Sequence, residues 1–196
     1  IMQTDFLTSS KSKGPLAFDY QATTPCQEEV MVAMEPYWNE FWGNPSSRQS
    51  RFSIRASAAV NLAREQISSL LGSSSKELIF TSGATEANNL ALLGYARAKA
   101  IERGKPGHLI TISTEHHAVL DPLRQLKREG FRLTEIQPDR DGLVSREKVA
   151  NAFEKDTFLV SMMLANNEIG VIQPLADIGS LCREYELVFH SDIAQA

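Results

Sequence analysis

From Glu77 onward the chain alternates short apolar runs with stretches of helical periodicity, and this alternation constrains its fold more than any other feature. The runs "ELIF" (77–80), "HLITIS" (108–113), "FRLTEIQ" (131–137), "TFLVSMML" (157–164) and "LVFHSD" (187–192) read as strands. Helices are expected at 84–104, 117–130, 145–155 and 174–186. In the first of these, Ala87, Leu90, Ala91, Gly94 and Ala98 recur at spacings that predict the buried stripe. Pro122 is expected in the first turn of its helix, Ser145 as an N-cap and Pro174 at a first helical position. Strand runs of nearly continuous apolar character require cover on both faces. The predicted class is therefore α/β, a mostly parallel sheet with helices on both sides.

The earlier part differs. Residues 17–76 contain the aromatic, turn-rich "PYWNEFWGNPSSRQSRF" and then a helix from about Ile54 to Leu71, which together read as an N-terminal arm and lead-in helix. Residues 1–16 are polar and mixed and read as a leader; they lack the apolar centre of a secretory signal. A net charge of −4, with no basic patch carrying interleaved aromatics, argues against a nucleic-acid partner. No apolar run approaches the roughly 20 residues of a membrane span. The two cysteines, Cys26 and Cys182, are far apart and lack metal-ligand spacing, which suits a reducing compartment.

Ligands of parallel α/β sheets bind beyond the carboxyl ends of the strands. Four segments fall there: "TSGATE" (81–86), "STEHH" (113–117), "ANNEIG" (165–170) and "HSDIAQ" (190–195). In the first, Gly83 lets backbone approach a ligand, and the N–H groups of Ala84 and Thr85 suit a phosphate; a plain helix start satisfied by Glu86 is the competing reading. Asp192, at the end of an apolar strand, needs a partner; either it caps or bridges, or it anchors a protonated heterocyclic nitrogen. His116 and His117 point apart, so one metal cannot take both from one face. A zinc site from His116, His190 and Asp192 lacks a close-spaced ligand pair, and no metal is expected. An imidazole that stacks on a flat ring or shuttles a proton fits His116 better. Asn167 and Gln195 are amides able to meet a polar ligand, although Asn166 and Asn167 could equally shape a turn.

The segments "DYQATTP", "WGNPSS", "FTSGATEANNLAL", "TEHHAVLD", "LVSMMLANNEIGVIQP" and "FHSDIAQA" together resemble the cysteine desulfurases of the NifS/IscS kind, in the same order, from about residue 17 to the end. These belong to the aminotransferase class V family and have the pyridoxal-phosphate type I fold. The resemblance implies that residues 77–196 are the first part of the cofactor-binding large domain and that 17–76 belong partly to a small domain. It implies that Ala84 and Thr85 hold the phosphate of pyridoxal 5'-phosphate and that His116 stacks on its ring as a candidate acid/base. It also implies that Asp192 pairs with the ring nitrogen, and that Asn167 and Gln195 meet the phenolic oxygen side or the substrate. L-cysteine is the implied substrate, with alanine and a persulfide as products. A homodimer, a sulfur acceptor or iron–sulfur scaffold partner, and a cytoplasmic or organellar-matrix location are implied as well.

In that family the Schiff-base lysine and the catalytic cysteine come after "HSDxAQ", and neither matches a residue of this chain. The expectation is an N-terminal portion, inactive alone. Another class V lyase or aminotransferase, and a non-catalytic cofactor-binding fragment, are the competing readings. The sequence also departs from the family after "NPSS", where Ser50 and Ser53 stand in place of the usual histidine and glycine.

Overall fold

The computed structural model describes residues 18–47 and 49–195; the expected leader, residues 1–16, lies outside them. The chain begins with helices α1 (Glu28–Met34), α2 (Pro36–Asn39) and α3 (Arg51–Leu71). Ser50 is the N-cap of α3: its Oγ accepts from Ser53 N–H at 3.1 Å and lies 2.8 Å from Ser53 Oγ. The two serines at the point of departure from the family pattern thus start a helix, slightly earlier than periodicity suggests. Gly72 ends it in the left-handed region, at φ 65°.

The remaining elements alternate: α4 (Ala84–Arg103), β1 (His108–Ile112), α5 (His117–Arg128), β2 (Arg132–Ile136), α6 (Arg146–Asn151), β3 (Thr157–Ser161), α7 (Leu175–Glu184) and β4 (Val188–His190). The strands form one parallel sheet in the order β2-β1-β3-β4. Chain order reverses at β1: β2 lies on one side of it and β3 on the other. The carboxyl ends of β1 and β3 lie side by side at this reversal, the place where such sheets offer ligands a crevice.

Alternation along the strands divides the core between the two faces of the sheet. Leu109 and Leu159 pack with Leu92 and Ala96 of α4 and with Val119, Leu123 and Leu126 of α5. Ile110, Ile112 and Val160 pack with Val149 of α6 and with Ile178, Leu181 and Cys182 of α7. Both faces are covered, so β1 and β3 are buried throughout, as their composition requires. Ser145 caps α6 through Lys148 N–H.

Several expectations need correction. Residues 77–80 are not a strand: Glu77 closes a single 3-10 turn, Ser75–Glu77, and Ile79 and Phe80 remain 67% and 46% exposed. They have strand composition but no neighbouring strand among the described residues, and Arg64 instead covers the Phe80 ring and donates to Leu78 O. On α4 the buried stripe is Asn88, Leu92 and Ala96, whereas Leu90 faces outward. Pro122 lies in the second turn of α5, and Pro174 is the N-cap of α7 and not its first residue. The helices expected at 145–155 and 174–186 both stop short of those ranges.

Candidate functional site

At the carboxyl edge, a cleft of about 400 Å³ is lined by Ala84, His116, Asn167, Asp192 and Gln195, with Gln21 of the N-terminal arm closing one side. Five of the six expected site residues therefore share one cavity. The sixth, Thr85, lines a neighbouring groove between α4 and α5 that also contains His116.

Each residue is held by its local structure. Ala84 and Thr85 open α4, and their N–H groups have no hydrogen-bond partner among the described residues. Glu86 does not turn back on these two: its Oε2 accepts from Ser82 N and Oγ, both at 2.6 Å, which holds its carboxyl below the usual range. Gly83 is extended, a conformation open to any residue, yet no atom lies within 4 Å of where a Cβ would stand. Neither backbone strain nor a neighbouring atom among the described residues requires glycine here, and the space beside the helix start is open.

His116 is the N-cap of α5, and its Nδ1 accepts from Ala118 N–H at 3.0 Å. This bond sets the ring plane and assigns the proton of the neutral ring to Nε2. A ring so anchored is a platform; proton exchange at Nδ1 would break the cap. His117 points away, its Nδ1 3.9 Å from Asp121 Oδ1 one turn on.

Asp192 follows β4, and its backbone extends the ladder by accepting from Leu164 N–H at 3.0 Å. Its Oδ2 accepts from Asn88 Nδ2 at 2.8 Å and its Oδ1 from Ala194 N–H at 2.9 Å. Asn88 is buried. Its amide explains why α4 turns a polar residue inward, a role the periodic pattern could not show. On the neighbouring strand positions, Ser161 Oγ meets His190 Nδ1 at 2.9 Å, and burial lowers the His190 pKa.

The two asparagines divide the readings left open for them. Asn166 shapes the turn: it donates to Thr114 O and accepts from Glu168 and Ile169 N–H, each within 2.9 Å. Asn167 faces the cleft and donates to Gln21 Oε1 at 3.0 Å, while Gln195 donates to Gln21 O at 3.2 Å. Gln21 is thus a site residue that residue-level reasoning did not mark; the motif "DYQATTP" was the available signal.

Glu115 was likewise unmarked. It lies buried between His116 and the strand ends, and burial pushes its carboxyl up to about 8. No group of three or more histidine, cysteine or acidic side chains able to hold a metal occurs among the described residues. Among the same residues no lysine lines the cleft. Cys182 is buried in the core with its thiol pushed up to about 11, which suppresses the thiolate.

The aminotransferase class-V family model matches residues 16–196. The chain is 48% identical over 184 residues to the cysteine desulfurase IscS of Dechloromonas aromatica, covering 94% of this chain and 45% of that protein. It is 48% identical over 181 residues to the same-named protein of Rickettsia massiliae, covering 92% and 43%. A solved structure described as SspA in complex with cysteine superposes with a TM-score of 0.85 at 40% identity, covering 91% of this chain and 50% of that one. DndA from Streptomyces lividans gives 0.79 at 40% identity, covering 92% and 50%. The chain thus spans about half the length of the relatives it matches.

Proposed function

The chain belongs to the aminotransferase class-V family, and we propose that it binds pyridoxal 5'-phosphate in the cleft between Ala84, His116 and Asp192, in a protein that removes sulfur from L-cysteine. The observation that carries this is the convergence of three recognition elements on one cleft: the helix start at Ala84, a fixed imidazole face and a carboxylate. Their chemistry fits the cofactor, and the open space at Gly83 leaves room for a phosphate beside the helix start.

Ala84 and Thr85 N–H, with the Thr85 hydroxyl, hold the phosphate. His116 offers its ring face. Asp192, oriented by Asn88 and Ala194 N–H, pairs with the ring nitrogen and keeps it protonated. Asn167 and Gln195 exchange their contacts with Gln21 for the phenolic oxygen side or the substrate. When bound, the cofactor supplies an electron sink for bond cleavage next to the amino-acid Cα.

L-cysteine as substrate is supported by the names of the relatives and by the solved neighbour described with cysteine. We extend the reading to a homodimer that passes sulfur to an acceptor or iron–sulfur scaffold protein in the cytoplasm or an organellar matrix. No helix among the described residues is long and apolar enough to cross a membrane. A polypeptide of these 196 residues alone is proposed to be inactive, since no described lysine reaches the cleft.

The test is pyridoxal 5'-phosphate affinity in the purified protein and in Asp192→Asn. Loss of the charged pair is expected to cost about 2 kcal/mol or more, roughly 30-fold in affinity. Undiminished binding by the variant would remove Asp192 from the site.

A further inference from the structure

Glu115 follows β1 at the point where chain order reverses, and the reading above gives it no part in holding the cofactor. Only 6% of the residue is exposed. Its Oε1 accepts from Met163 N–H at 2.5 Å, across the gap between the loops that leave β1 and β3. Its Oε2 has no hydrogen-bond partner among the described residues. Asp192 acts on it from beyond β4; His116, His117 and Arg124 of α5, and Glu168 of the loop after β3, line the cavity beside it, His116 as the N-cap of that helix. Arg124 is already engaged through two nitrogens by Glu135, and Glu115 has no ion pair among the described residues.

We infer that Glu115 is a positioning residue that works as the neutral acid, tying the end of β1 to the end of β3 behind the cleft. The pairing of Asp192 with a cofactor nitrogen rests on the proposed function; the tie between the strand ends does not.

A carboxyl sealed from water, with a single donor and no cationic partner, holds its proton. Asp192 accepts from two donors, Asn88 Nδ2 and Ala194 N–H. Glu115 accepts from one, and is sealed from solvent. The direction of its titration agrees: burial raises it most, the Met163 N–H opposes this in part, and the charge of Asp192 adds to the rise. The unfolded carboxyl ionises near 4.5 and the folded one near 8. Its stabilising contribution is therefore complete below the unfolded value and is lost as the pH rises through the folded one.

The experiment is the melting temperature of the purified, cofactor-free protein from about pH 6 to about pH 9.5, compared with Glu115→Gln. The glutamine keeps an acceptor for Met163 N–H and cannot ionise. The wild type is expected to lose stability as the pH rises to about 8, with the contribution of Glu115 levelling off above that, and E115Q to lose that dependence. Identical profiles overturn the inference. Should E115Q not fold, infrared spectra of the wild type alone decide the protonation: a protonated carboxyl band that persists at neutral pH and titrates near 8 supports the inference, and its absence overturns it.

Positioning has its own readout. Glu115→Met fills the space but leaves Met163 N–H without an acceptor, and is expected to weaken pyridoxal phosphate binding about tenfold, while E115Q stays within about threefold. Equal affinity in all three proteins overturns the positioning role. If D192N binds the cofactor as well as wild type, Asp192 leaves the proposed site, while the melting comparison still decides the protonation of Glu115.

Discussion

His116 combines two roles that substitution can separate. Its Nδ1 caps α5, and its ring lines the cleft. His116→Asn retains a capping side chain and removes the ring; His116→Phe retains a ring and removes the cap. The phenylalanine variant is expected to lose about 1 kcal/mol of stability, measured by denaturant unfolding, with cofactor affinity better preserved. The asparagine variant is expected to show the opposite pattern. The same scale shows why neighbouring residues of one type diverge. Asn166 spends its amide on Thr114 O and two loop N–H groups, whereas Asn167 keeps its own for the cleft. Their adjacency in the sequence does not distinguish them, because only the path of the loop decides which amide turns inward. Glu115 is illegible in the sequence for a related reason: an acid beside two histidines looks exposed until the strands bury it.

At the scale of elements, β1 begins at the edge opposite the site with a fully buried His108, whose Nδ1 and Nε2 meet Thr157 and Thr134 hydroxyls at 2.7 and 2.9 Å. Burial, the largest cause, lowers its pKa. A depressed histidine stabilises the fold above its unfolded pKa of about 6.5 and withdraws that support as the pH falls through it, since the unfolded chain takes up the proton first. His108→Gln is expected to flatten the acid side of the pH–stability curve, leaving the share due to His190, which shifts in the same direction. Thermal melts across that range measure it. Helix α4 shows the limit of periodicity. Its small and apolar residues are spread around the axis, so spacing admits more than one stripe. The choice of Asn88, Leu92 and Ala96 follows from the sheet they meet and from the carboxylate Asn88 must reach. Residues 77–80 fail as a strand on the same ground, since a strand is defined by the ladder it joins.

Across the whole molecule, burial is uneven. β1 and β3 are sealed between two helical layers, while α1 buries no residue and α3 buries only Ser53, Ala56 and Ser68. Amide hydrogen exchange should therefore be slowest in β1 and β3 and faster by orders of magnitude in the arm before residue 76. Comparable protection in α1 would show that it is packed against something further. The domain division at residue 76 and the assignment of the arm to a small domain remain our proposal, consistent with this contrast. The sequence by itself determined the α/β class, the parallel sheet with both faces covered and the order of four polar loops, because periodicity and apolar runs are local properties that survive any packing. Five of the six residues it marked as site candidates, Ala84, His116, Asn167, Asp192 and Gln195, line the cleft. Only the tertiary structure decided that α4 turns Asn88 toward Asp192, that Gln21 reaches the cleft from the arm, and that Glu115 loses its water. Each depends on a contact between segments distant in the chain, and such a contact leaves no spacing for a sequence pattern to record.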